Sequence, residues 1–130
     1  APQDRDIRTF SVYVRKGTAG ITQVKLQYRG GTNEITNGAV NINWAADGSI
    51  ATTQPGADVL TSGSTSVGNG WYRVWVTVQN NGSGNFMARP MIYVSGYVKD
   101  GSSVGSLYVW GAQLEVGNAP TSYQATFLSF

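Results

Sequence analysis

The chain has neither cysteine nor histidine. Without cysteine there is no disulfide framework and no thiolate metal site. Without histidine the commonest general base and metal ligand is missing, and with it every triad built on imidazole. Acidic residues are scarce, seven against nine Lys plus Arg, which leaves a formal charge of +2. So small an excess, scattered along the chain, does not read as a nucleic-acid footprint. No apolar run approaches the roughly 20 residues that a membrane-spanning helix requires, so no membrane insertion is expected. The chain starts at Ala1 with no secretory signal and reads as a processed or excised piece of something longer.

What is present points to β structure. The 130 residues include 17 glycines and four prolines, with 41% apolar and 12% aromatic residues, a composition too apolar for disorder. Apolar residues recur on a two-residue beat: Phe10, Val12 and Val14; Val24, Leu26 and Tyr28; Val40, Ile42 and Trp44; Val74, Val76 and Val78. Asp47-Gly48 is expected to turn the third of these segments into a further short strand. "ADVLTSGSTSVGNG" reads as a short strand followed by a Gly/Ser loop, and "NFMARPMIYVSGYV", "SLYVWGAQLEV" and "TSYQATFLSF" as later strands. No window holds a 3.6-residue apolar pattern. Eight or nine strands with turn clusters about every ten residues predict one all-β domain over residues 1–130, an antiparallel β-sandwich of jelly-roll (concanavalin-like) form. The apolar tail "ATFLSF" is expected to pack on the sandwich or on a neighbouring chain.

Two tryptophans stand off the apolar beat. In "GNGWYRVWVTVQNNGSG", Trp71 and Trp75 alternate with the valines, with Arg73 between them. The loop "NNGSGN" invites a hairpin between the strands at 71–79 and 86–94. Register then follows from pattern, because a one-residue slip exchanges the faces. One register groups Val74, Val76 and Val78 with Ala88, Pro90, Ile92 and Val94. It leaves Trp71, Arg73 and Trp75 beside Met87, Arg89, Met91 and Tyr93. The other register buries Arg89 among valines, a costly placement for an unpaired charge.

The candidate ligand-binding residues are therefore Trp75, Arg73, Trp71, Arg89 and Tyr93. Flat rings accept the C–H face of a pyranose, and Arg forks bond hydroxyls or uronate carboxylates. The same residue types are enriched at the cores of subunit interfaces, so sugar and protein both suit such a face. Trp44 shares the beat of Val40 and Ile42 and reads as core. Asp47-Gly48-Ser49 and Asp100-Gly101-Ser102 could offer oxygens to a calcium ion, but such a site needs several oxygens converging on one point. Both sequences read first as plain turns, so no metal ligand and no cofactor is assigned.

"LYVWGAQLEVGNAPTSYQAT", residues 107–126, is more specific than any of these. With Trp110, Gly111, Ala112, Gln113, Leu114, Glu115, Thr121, Ser122, Tyr123 and Thr126, it resembles the closing segment of a jelly-roll domain. That domain recurs in bacteriophage tail fibres, tail spikes and other virion proteins, and is also appended to secreted polysaccharide-degrading enzymes. "TFSVYVRKGT" at 9–18 and "VGNGWYRVWVTV" at 67–78 are similar to its early and middle strands, so the resemblance spans most of the chain. It departs in two places. The family usually has one or two strands before "TFSVYV", and its middle strand normally carries a small polar residue where Trp75 stands. The resemblance implies a non-catalytic, carbohydrate-binding-module-like domain, at the virion surface or outside the cell. It also implies that Gln113 and Glu115 satisfy backbone groups where the last strand meets a turn, and that Trp71, as the family's signature tryptophan, folds over the sheet edge as core.

An enzyme would have to be built without imidazole or thiol. Glu34, Asp47, Asp58 and Asp100 all fall in predicted turns, so no convergent carboxylate pair is apparent. No catalytic residue is assigned. The leading expectation is a lectin-like module that recognises a polysaccharide or cell-surface glycan, with weak single-site affinity raised by multivalency if the parent is a trimer. The alternative is a phage virion structural protein, a capsid decoration or a tail fibre or spike subunit, whose aromatic face docks on other virion proteins or on copies of itself.

Overall fold

The computed structural model describes residues 5–96 and 104–123. They form eight strands: β1 (Ile7–Lys16), β2 (Ile21–Arg29), β3 (Ala39–Trp44), β4 (Ile50–Pro55), β5 (Thr61–Gly68), β6 (Trp71–Gln79), β7 (Met87–Tyr93) and β8 (Leu107–Val116). All the pairings are antiparallel, and the described residues contain no helix. One sheet runs β5-β6-β1-β8 and the other β4-β3-β2-β7, so the protein is the β-sandwich that its alternating pattern predicts.

The two-residue beat decides what is buried. Phe10, Val12 and Val14 of β1 and Val74, Val76 and Val78 of β6 turn inward from the first sheet. They meet Val24, Leu26 and Tyr28 of β2 and Val40, Ile42 and Trp44 of β3. Fully burying one such side chain is worth about 1.5–3 kcal/mol, so this layer dominates the stability of the fold. The polar tips inside are satisfied. Trp44 Nε1 donates to Thr22 Oγ1 at 2.9 Å, and the Tyr28 hydroxyl donates to Asp6 Oδ2 at 3.0 Å. Burial and the negative charge of Asp6 together push the Tyr28 hydroxyl's pKa well above its ordinary value. Trp44 is core, as its beat indicated.

The turns divide into those the residues announce and those they disguise. Asp47-Gly48 does join two strands, β3 and β4, with Ala45 N–H bonded to Ser49 O at 2.8 Å. "NNGSGN" does not make a hairpin. β6 pairs with β1 and β5, whereas β7 pairs with β2, so this loop carries the chain from one sheet to the other. Its asparagines are spent on that crossing. Asn85 Nδ2 donates to Asn33 O at 2.9 Å, Asn80 Nδ2 to Asn85 O at 3.0 Å, and Gly31 N–H to Asn85 Oδ1 at 2.9 Å. Asn80 and Asn85 are both buried, tying the crossing to the loop after β2. The tight hairpin lies instead at Asn69-Gly70, between β5 and β6, where both residues have positive φ, 55° and 81°.

The expected Gly/Ser loop at 61–68 is a strand, β5. Its glycines and serines have little strand preference of their own, but the ladder to β6 satisfies the strand's backbone. The segment expected as a last strand is described only over Thr121–Tyr123, which is not strand. The rest of the apolar tail, the Asp100-Gly101-Ser102 turn and Thr126 lie outside the described residues.

Candidate functional site

Each sheet turns one face away from the core, and the two faces differ in kind. On the first sheet the outward beat sets Thr9 against Thr77, Ser11 against Trp75, Tyr13 against Arg73 and Arg15 against Trp71. From the other side β8 contributes Glu115, Gln113, Trp110 and Tyr108, opposite Thr9, Ser11, Tyr13 and Arg15.

Trp110 reaches this face through a bulge. Between Ser11 and Tyr13 the β1–β8 register shifts, with Gly111 at φ 64°. Strict alternation back from Gln113 would point Trp110 into the core. The extra residue turns it outward instead, where it stacks on Tyr13 with ring centroids 4.5 Å apart. Tyr123 meets both rings edge-on. Arg73 lies over Tyr13, 5.5 Å from its centroid, and donates to Ser11 Oγ at 3.1 Å.

The first sheet's outer face is also roofed by its own chain. After β8, residues 117–123 fold back across it. Thr9 Oγ1 donates to Gly117 O at 2.9 Å, and Thr77 Oγ1 to Asn118 O at 3.4 Å. Both threonines are fully buried as a result. Glu115 pins the return: it accepts from Thr121 Oγ1 at 2.7 Å, from Thr121 N–H at 3.1 Å and from Gln113 Nε2 at 2.7 Å. Burial works to raise the Glu115 carboxyl, but the hydrogen bonds from Gln113 and Thr121, with Arg73 nearby, hold it below its ordinary value. Glu115 thus serves a backbone group, Thr121 N–H, where the strand meets the turn, while Gln113 donates to the Glu115 side chain.

Trp71 and Trp75 are both partly buried on this outer face, and neither belongs to the core. The indole of Trp75 lies across β5, where a Cβ built on Gly63 would stand 2.7 Å from Trp75 Cζ2. The ring thus covers a glycine in an edge strand and shields its backbone.

The second sheet puts different chemistry outward. β2 contributes Gln23, Lys25, Gln27 and Arg29; β7 contributes Tyr93, Met91, Arg89 and Met87 opposite them. β3 and β4 add Asn41, Asn43, Gln54 and Thr52. Gln23 Nε2 donates to Asn41 Oδ1 at 2.8 Å and Asn43 Nδ2 to Thr52 Oγ1 at 2.8 Å, and the Lys25 ammonium stands 5.9 Å from the Tyr93 ring centroid. Although they face outward, Gln23 and Gln27 are only 8% and 5% exposed, closed in by longer neighbours.

The five sequence-predicted residues are therefore not brought together. Trp71, Arg73 and Trp75 belong to the outer face of the first sheet, and Arg89 and Tyr93 to that of the second. The valines do face Ala88 and Ile92, but across the sandwich core and not along a shared sheet. The amide row beside Tyr93 was missed because its members come from three successive strands, β2, β3 and β4, whereas Tyr93 comes from β7, much later in the chain. Their common outward beat was the signal available.

The described carboxylates are all held locally. Asp6 pairs with Arg8, Glu34 with Arg29, Asp47 accepts from Ser49, Asp58 accepts from Asn37 N–H, and Glu115 accepts from Thr121. Among the described residues no three metal-ligating side chains gather, and no helix is long and apolar enough to cross a membrane. No protein-family model matches the chain, and a search of curated proteins finds no match.

Proposed function

We propose that the protein is a non-catalytic carbohydrate-binding module, of the jelly-roll type that its closing motif resembles, and that the outer face of the β4-β3-β2-β7 sheet is its platform. The observation that carries this reading is the accessible amide row, Asn41, Asn43 and Gln54, backed by the buried Gln23 and Gln27 and ending at Tyr93, with Lys25 and Arg89 on the same face. Amides donate and accept at once, which matches sugar hydroxyls, and a tyrosine ring offers a pyranose an apolar face. The side chains bond to one another across strands, so little entropy is lost in ordering them for a ligand. Of the five residues expected from the sequence, Tyr93 and Arg89 fit this role. Trp71, Arg73 and Trp75 stay with the face that the chain itself roofs. No cofactor or calcium ion enters the reading.

The test is a titration of neutral and acidic polysaccharides into wild type and Tyr93→Ala, followed by calorimetry. Saturable binding that Tyr93→Ala weakens at least tenfold, with Trp75→Ala unchanged, supports the platform. Binding lost in Trp75→Ala and kept in Tyr93→Ala would return the site to the first sheet. A second reading, a virion structural subunit that assembles with other virion proteins or copies of itself, is favoured by one observation. The β8 edge exposes Tyr108, Val109, Trp110 and Val116, with Val116 71% accessible. Sedimentation that shows an oligomer dispersed by Tyr108→Ser/Val109→Ser, with no glycan bound, would establish that reading instead.

A further inference from the structure

At one end of the sandwich, beside the edge of the first sheet's outer face, three turns and the end of β1 border an open cavity of about 490 Å³ lined by Arg15, Lys16, Asp47 and Asn69 together with backbone at Gly17, Gly48 and Gly70. This lies within the roughly 300–1,000 Å³ usual for small-ligand sites. The β1–β2 turn, the β3–β4 turn and the β5–β6 turn each supply part of the wall, so both sheets contribute. We infer that this cavity is a second ligand site, independent of the sheet platform, and that it takes a single anionic sugar residue bearing a carboxylate.

The charges make the argument. Arg15, Lys16 and Asp47 line one cavity, yet no ion pair within 4 Å joins Asp47 to either cation among the described residues. Asp47 is positioned by its own turn. Ser49 Oγ donates to Asp47 Oδ1 at 2.6 Å and Ser49 N–H donates at 2.9 Å, and these bonds favour the ionised carboxylate. Lys16 Nζ donates to Gly17 O at 3.2 Å, which keeps the ammonium at the cavity wall. The Arg15 guanidinium extends between Gly70 and the Tyr108 ring, 5.9 Å from the ring centroid. Nothing stands within 4 Å of where a Cβ on Gly48 would lie, so a ligand can approach the β3–β4 turn backbone closely.

A fork and an ammonium on one side suit a carboxylate, bidentate from the arginine. An ionised carboxylate across the cavity suits the hydroxyls of the same ring, whose protons it accepts. A neutral sugar would leave the cations unanswered, and a bare anion would be repelled by Asp47. The arrangement selects a molecule that carries both groups.

The probe is sodium glucuronate, with glucose as the neutral control and sodium sulfate as the bare anion. Backbone amide shifts of the ¹⁵N-labelled chain provide the readout. Glucuronate is expected to shift the amides of Gly17, Gly48 and Gly70 saturably, with glucose and sulfate each at least fivefold weaker. Arg15→Gln and Asp47→Asn should each weaken glucuronate at least fivefold while leaving the rest of the spectrum in place. Tyr93→Ala should leave this site untouched, so failure of the platform and failure of the cavity are read separately. No shift at these amides with glucuronate on wild type would overturn the inference. So would sulfate binding as tightly as glucuronate, or Asp47→Asn binding glucuronate undiminished.

Discussion

The outer faces of the two sheets began from the same strand geometry and reached opposite conditions. The first carries the larger rings, and it spends them internally: Tyr13 on Trp110, Tyr123 on both, Trp75 over Gly63, Arg73 over Tyr13. The second carries amides, the cations Lys25, Arg29 and Arg89, with Lys25 beside Tyr93, and no covering segment among the described residues. The difference shows that aromatic content alone does not mark a binding face. The rings of the first face are held by one another, even where Trp110 stays exposed, whereas Tyr93 stands among amides and a lysine.

That contrast can be pressed at four points. The largest effect is expected from Leu26→Ala, which leaves a hole in the core both sheets share. It should cost about 2–5 kcal/mol in chemical denaturation and weaken both faces alike. A variant that spared one sheet would mean that the two sheets are stabilised separately. Next is Gly111→Ala. A Cβ at φ 64° is strained and would stand 2.8 Å from Tyr13 Cδ2, so a loss of about 1–3 kcal/mol is expected. Its signature should be confined to the first sheet, seen as altered near-ultraviolet dichroism from the Tyr13–Trp110 pair, with glycan binding on the second sheet retained.

Glu115→Gln should be milder, about 1 kcal/mol in a thermal melt near neutral pH. Its value lies in the pH profile. The Glu115 carboxyl is held below its ordinary value when folded, so its contribution is complete above the unfolded pKa of about 4.3 and fades as pH falls through the folded value. Wild type should therefore loosen residues 117–123 on acidification, read as faster amide exchange at Thr121. The Gln variant should lack that acid dependence. The smallest change in stability, within about 0.5 kcal/mol, is expected for Tyr93→Ala on the uncovered face, together with the largest loss of glycan affinity. If Tyr93→Ala destabilised the fold as much as Gly111→Ala does, the two faces would not differ in the way described.

The inward layer was legible because alternation is local: Val74, Val76 and Val78 announce their face without reference to any other strand. Trp44 and the Asp47-Gly48 turn were readable for the same reason. Which strands lie together was not. The fate of "NNGSGN" depends on Asn33 and Gly31, about 50 residues away, and turn residues that suit a hairpin suit a sheet crossing equally well. With that pairing misplaced, the five candidate residues could only be grouped on one face. β5 went unseen because its stability comes from β6 and from Trp75, and its own residues have weak strand preference. The end cavity was hidden for a related reason: Arg15 near the end of β1, Asp47 on the β3–β4 turn and Asn69 on the β5–β6 turn are far apart in the chain, and only the closed sandwich brings them together.

The bulge at Gly111 makes β8 a strand read in two phases. From Val116 back to Ala112, one parity faces the interior; from Trp110 back to Leu107, the other does. Deleting Ala112 would put the whole strand back in phase. Trp110 would keep its place opposite Tyr13, with Gln113 still outward and Gly111 turned inward opposite Val12. The extra residue is therefore what lets Gln113 and Trp110 share one outer face although their positions in the chain are out of phase, and the face would survive its removal.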